Sequence, residues 1–132
     1  MSPSWSQIGE EKQKANLNKI PKDWLLSKDK APPKSQRNVI SVPRTSGLLS
    51  EKELMITETC MADALQNLRS GRWSSVEVTE AICKRAAIAH QLTNCLSEIF
   101  FDEGLARAKE LDRHLKVNGT PVGPVGECRH CI

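Results

Sequence analysis

The chain has 132 residues, 39% hydrophobic and 27% charged, with a formal net charge of +3. That length suits one ordinary domain and excludes two, and three Trp, two Phe and no Tyr leave few large side chains for its core. No apolar run approaches the roughly 20 residues of a spanning helix, and Glu10 and Glu11 interrupt the region where a signal core would lie.

The basic excess sits in the N-terminal third, where residues 1–45 carry nine Lys and Arg against four Asp and Glu. These cations are spread among Gln, Asn and Asp, not gathered into dense clusters. They describe a solvated lead-in rather than an arm for nucleic acid or an anionic membrane. The cysteines, at positions 60, 83, 95, 128 and 131, are odd in number. With no signal core, the expected setting is cytoplasmic, the protein soluble and the thiols reduced.

In chain order, Ser4 with Gln7 forms the pattern of a capping box, and Trp5, Ile8, Ala15 and Leu17 give the following helix a sparse apolar stripe. Such a helix needs something to lie against. IPKDWLL follows, with Trp24 and Leu25 as anchors on a short turn. Residues 27–47 then hold Pro32, Pro33 and Pro43, which argue for an extended connector in which only VISV, residues 39–42, has strand character. A connector of this length is long for a small domain and suggests a surface larger than the chain itself supplies.

From Ser50 the pattern becomes regular. Ser50 with Glu53 predicts a second capping box, and Met61, Ala64, Leu65 and Leu68 repeat along one helix face that ends at Gly71. Ser74 with Glu77 predicts a third box. It opens a helix to about His90 whose apolar stripe is Val78, Ala81, Ile82, Ala86 and Ala89, with Arg85 snorkelling or paired to a carboxylate. CLSEIF, residues 95–100, alternates like a strand. Asp102 is then placed to cap a helix to about Lys116. That helix has Leu105, Ala108, Leu111 and Leu115 on one side, a Glu103–Arg107 pair outside, and a stop at Asn118 and Gly119. The expected fold is mainly α, about four helices with one or two short strands. A lone strand cannot satisfy its own backbone, so its partner is either 39–42 or lies outside the chain.

Candidate chemistry is sparse. His90 reads as a helix C-terminal cap and His114 as a surface residue. Cys60, Cys83 and Cys95 read as packing residues. Cys128, His130 and Cys131, with Glu127 as a fourth donor, form the one ligand cluster. They sit too close together to surround a tetrahedral ion, and the second separated pair of a structural zinc site is missing. No catalytic, cofactor-binding or metal residue is assigned, and no cofactor is expected.

Several segments carry a resemblance. The helix ending LRSG, the start SSVEVTEA with Arg85 beyond it, and TNCLSEIFFDEGLARAKELD leading to a Gly-Pro all resemble the amidase-signature hydrolases. So do IPKDWLL and SGLLSEKELMIT, and together they are most similar to the fungal acetamidase-type members. The resemblance covers residues 5–124. It implies the N-terminal portion of an α/β fold, with helices packed outside a mixed sheet. It also implies hydrolysis of small carboxylic amides to acid and ammonia by a Ser–cis-Ser–Lys triad. In that triad the lysine takes the proton of the bridging serine, which activates the nucleophilic one, and backbone N–H groups form the oxyanion hole.

The family lysine stands in a motif of the type GPLHGxPxxLKD. Gly123 and Pro124 match its start, Val125 replaces Leu, and the match is lost from Gly126. Three parts are therefore expected: residues 1–49 as helix and connector, 50–124 as a helical amidase portion, and 125–132 as a divergent tail of the kind a frameshift, retained intron or misplaced exon boundary creates. No family catalytic residue maps onto this chain, which is expected to be inactive alone. The alternative is a stand-alone helical interaction or dimerisation module, with N-terminal helices supplying a homodimer contact.

Overall fold

The computed structural model describes residues 4–33 and 35–123. The described residues form α1 (Trp5–Asn18), a single 3-10 turn (Lys22–Trp24), α2 (Val42–Thr45), α3 (Glu51–Glu58), α4 (Met61–Arg69), α5 (Ser75–Thr93) and α6 (Phe101–Asn118). None of them is in a strand.

Three helix starts follow from local chemistry. Ser4, Ser50 and Ser74 each accept from the backbone N–H three residues on, and Gln7, Glu53 and Glu77 each reach back to the capping residue's own N–H. Each box satisfies two of the donors a helix start leaves free. The ends are equally local: Gly71 and Gly119 adopt φ of +71° and +66°, and Asn94 ends α5 at φ 51°.

α5 is the hub, with α6, α3, α2 and the 3-10 turn all packing on it. Cys83 and Ala87 join Ile20, Ile99 and Phe101 in one cluster, where the Trp24 and Phe101 rings sit 5.6 Å apart at 55°. Val78 and Ala81 meet Ile56, Leu68 and Trp73 in a second. Ile88 joins Val42 and Leu49 in a third, with Leu26, Leu54 and Leu92 around it. Of the expected stripe, Val78 and Ala81 are buried and Ile82, Ala86 and Ala89 are only partly so, while Cys83, Ala87 and Ile88 from outside it are fully covered.

The helical class stands, but the two expected strands do not form, and hydrogen bonding explains why. In residues 95–100, Asn16 Nδ2 donates to the carbonyls of Leu96 (3.3 Å) and Ser97 (3.0 Å), and Lys19 Nζ donates to that of Ile99 (3.3 Å). The Leu96 N–H donates to His90 Nδ1 at 3.1 Å. Side chains of α1 and α5 meet the demand that a neighbouring strand would meet. Residues 39–42 turn instead of extending, since the Val42 N–H donates to the Val39 carbonyl at 3.0 Å. The one-turn α2 then starts with proline in its first turn, where a missing N–H costs nothing. Further back, Gln91 pins the connector: it accepts from the Leu26 N–H and donates to the Trp24 carbonyl.

Candidate functional site

Between α4 and α5 lies an apolar groove of about 430 Å³. From α4 it takes Met61, Ala64, Leu65 and Leu68, the face expected from their spacing, because i, i+3, i+4 and i+7 project from one side of a helix. From α5 come Val78, Ile82, Ala86 and Ala89, and Ile56, Thr57, Thr59 and Leu96 also line it. Leu68 and Val78 form the buried floor, whereas Met61 at the lip is 62% exposed. These two expected stripes therefore face each other across a gap.

Arg85 stands at the groove edge. Its guanidinium donates to Thr57 Oγ1 at 2.9 Å and pairs with Glu58 at 3.4 Å, the carboxylate pairing expected of it. Its charge is used in tying α5 to α3. Beside it, Lys84 pairs with Glu53 at 2.6 Å and with Glu80 at 3.3 Å, and the Lys84 and Glu53 side chains are more than four-fifths covered. Burial opposes ionisation of Glu53, but Lys84 and the Ser50 cap together hold its carboxyl below the usual value. Burial likewise pulls on Lys84, and its two carboxylate partners override that and raise its pKa.

The remaining residues singled out from sequence do not converge. His90 is buried. Its Nδ1 accepts from Leu96, so it orders the loop after α5 rather than the helix carbonyls, and its Nε2 has no partner among the described residues. His114 is half-buried rather than on an open face. Cys83 is core as expected, but Cys60 and Cys95 are exposed, Cys60 because it precedes α4 and donates to Asp63. Asp102 lies in the first turn of α6 without capping it, as Phe100, two residues earlier, occupies the cap position, and Arg107 pairs with Glu110 instead of Glu103.

The cluster of Cys128, His130 and Cys131 lies outside the described residues. Among the described residues no three His, Cys, Asp or Glu side chains gather as metal ligands, and no helix is long and apolar enough to cross a membrane.

One contact had no sequence signal. Asp112 of α6 accepts from the Ser75 N–H at 2.6 Å and the Val76 N–H at 3.1 Å, a second cap on α5 delivered from 37 residues away. The Ser74 box already completes a local cap, so nothing in the spacing calls for another.

No protein-family model matches the chain. Curated relatives do. It is 42% identical over 123 residues to a putative amidase, kk1C, of Curvularia clavata, covering 93% of this chain and 23% of that protein. It is 45% identical over 125 residues to an acetamidase of Emericella nidulans, covering 95% and 22%, and 40% identical over 124 residues to an acetamidase of Aspergillus oryzae, covering 94% and 22%. Among solved structures a fatty acid amide hydrolase superposes with a TM-score of 0.78 at 34% identity, over 92% of this chain and 22% of that one. The chain spans between a fifth and a quarter of the length of these relatives.

Proposed function

Since this chain belongs with the amidase-signature hydrolases over nearly all of its length, we propose that it forms an outer helical section of an amide-hydrolysing enzyme whose catalytic groups are supplied by the rest of that fold. The observation that carries this reading is 40–45% identity to named acetamidases along more than nine-tenths of the chain, in proteins over four times as long. Small carboxylic amides, cleaved by water to acid and ammonia, are the proposed substrates of the whole enzyme, and the cytoplasm is its proposed location. Under this reading residues 50–124 are the helical N-terminal part of an amidase domain, and residues 1–49 are a helix and connector ahead of it.

The test is ammonia release. The purified chain is expected to release none from acetamide or benzamide. A chimera in which it replaces the matching 125 residues of the Emericella acetamidase is expected to hydrolyse acetamide. Turnover by the chain alone, surviving repurification, sinks the assignment of catalysis to the rest of the fold. A folded but inactive chimera sinks the amidase reading.

One observation favours a second reading, a helical interaction module that dimerises through α1: Trp5 is 85% exposed and Ile8 lies open one turn along. In that case the chain alone sediments as a dimer and Trp5→Ser makes it monomeric. An enzyme section sediments as a monomer with or without Trp5.

A further inference from the structure

We infer that α1 is a latch, a helix held to the body by polar contacts that detaches as a unit from residues 95–100 while α5 stays folded. Of its 14 residues only Asn16 is buried. Its large apolar side chains, Trp5, Ile8 and Leu17, are all exposed. No α1 residue belongs to any of the three apolar clusters, and the chain enters them only at Ile20, two residues past the helix end. Apolar burial, the main force holding a helix to a core, is therefore almost absent from α1.

Charge and hydrogen bonds hold it instead. Lys12 and Lys19 both pair with Glu98, Lys19 at 3.7 Å, and all three side chains are about half open to solvent. Lys19 also donates to the Ile99 carbonyl and stands 5.2 Å over the Phe100 ring. Asn16 adds its two bonds to the carbonyls of Leu96 and Ser97. Exposed ion pairs are individually weak and weaken further in salt. Here two of them converge on one carboxylate, so a single charge governs the hold. Once undocked, a 14-residue helix with Gly9 in its first half is marginal in water and unwinds. Release loosens the loop that joins α5 to α6. It leaves the clusters around Val78 and Ile88 untouched, because neither contains a residue of α1 or of that loop.

Hydrogen–deuterium exchange of the full chain reads this segment by segment. Raising sodium chloride from about 0.01 M to about 1 M shortens the screening length from about 30 Å to about 3 Å. Exchange over α1 and over 95–100 should then speed together by roughly fivefold. Exchange from Val78 to Ile88 should change by less than about twofold, because apolar burial holds that part of α5. Glu98→Gln keeps the length of the side chain and removes its charge. It should speed α1 exchange to a similar extent at low salt, and added salt should then do little more. Exchange of α1 that responds neither to salt nor to Glu98→Gln overturns the inference. So does acceleration of α1 and α5 in step, which makes α1 part of one cooperative unit. Protection of α1 that rises with protein concentration overturns it too, by assigning the hold to a second copy. Ammonia release by the chimera is scored separately, so the latch and the amidase reading fail independently.

Discussion

Asp112 shows how much one side chain can contribute without announcing itself. Its carboxylate caps the first turn of α5 across the α5–α6 contact, where helix dipole and free N–H groups both favour a negative charge. Asp112→Ala should cost roughly 1–3 kcal/mol in urea unfolding. A loss near zero would mean that water replaces the carboxylate fully.

The Glu53–Lys84 pair makes a second prediction at this scale. Glu53 has a lowered folded pKa, so its contribution is fully present above its ordinary value of 4.5 and is lost as pH falls through the folded value. Lys84 is raised, so its contribution is present below 10.5 and is lost as pH rises through the folded value. Glu53→Gln keeps a capping-box side chain but removes the charge. Its urea midpoint should therefore fall less steeply below pH 4.5 than that of the wild type; parallel curves would remove the pair from acid stability. Both residues lie on legible helix faces. Their meeting was not legible, because it requires α3 and α5 to cross at 31 residues' separation.

At the scale of elements, helix boundaries were legible wherever one short stretch contains its own reason. The three capping boxes and the stops at Gly71 and Gly119 depend on residues within a turn of each other. Gly71 gives a direct check. A Cβ there would meet nothing within 4 Å, so Gly71→Ala tests backbone conformation alone. It should cost about 1–2 kcal/mol, the strain of a left-handed non-glycine residue; a neutral result would mean the turn re-forms in another conformation. Residues 95–100 are the opposite case. Ile99 is buried and Leu96 partly so, while Ser97 and Glu98 between them are exposed, so the covered positions lie three apart and the expected alternation is not there. Whether such a segment becomes a strand depends on what accepts and donates beside it, and here Asn16, Lys19 and His90 do so. Asn16→Leu should accordingly destabilise the chain by about 1–3 kcal/mol, as two carbonyls lose their donor, and speed amide exchange in the 95–100 loop first. Unchanged exchange there would show the loop to be held by packing alone.

Across the whole molecule, one helix organises three apolar clusters and still leaves part of its surface half-covered. This separates two isoleucines on α5. Ile88 is wholly buried, so Ile88→Ala should cost roughly 2–5 kcal/mol in the chain alone. Ile82 lines the groove, so Ile82→Ala should cost about 1 kcal/mol there, less than full burial of such a side chain. Equal costs would mean that the groove is already closed.

Sequence alone determined what is local or collinear: helix starts and stops, the mainly helical class, and the resemblance to amidases that the relatives uphold. These rest on contacts within a turn or on residue order, both of which a linear string preserves. Only the tertiary structure decided which sides of α5 are covered, that Asp112 caps a distant helix, that 95–100 is a pinned loop, and that two apolar stripes face each other across an open groove. The physical reason is that hydrophobicity marks a surface as needing cover without naming the cover. For Ile88 the cover is Val42 and Leu49; for Ile82 and Ala89 the present helices leave part of the side chain open.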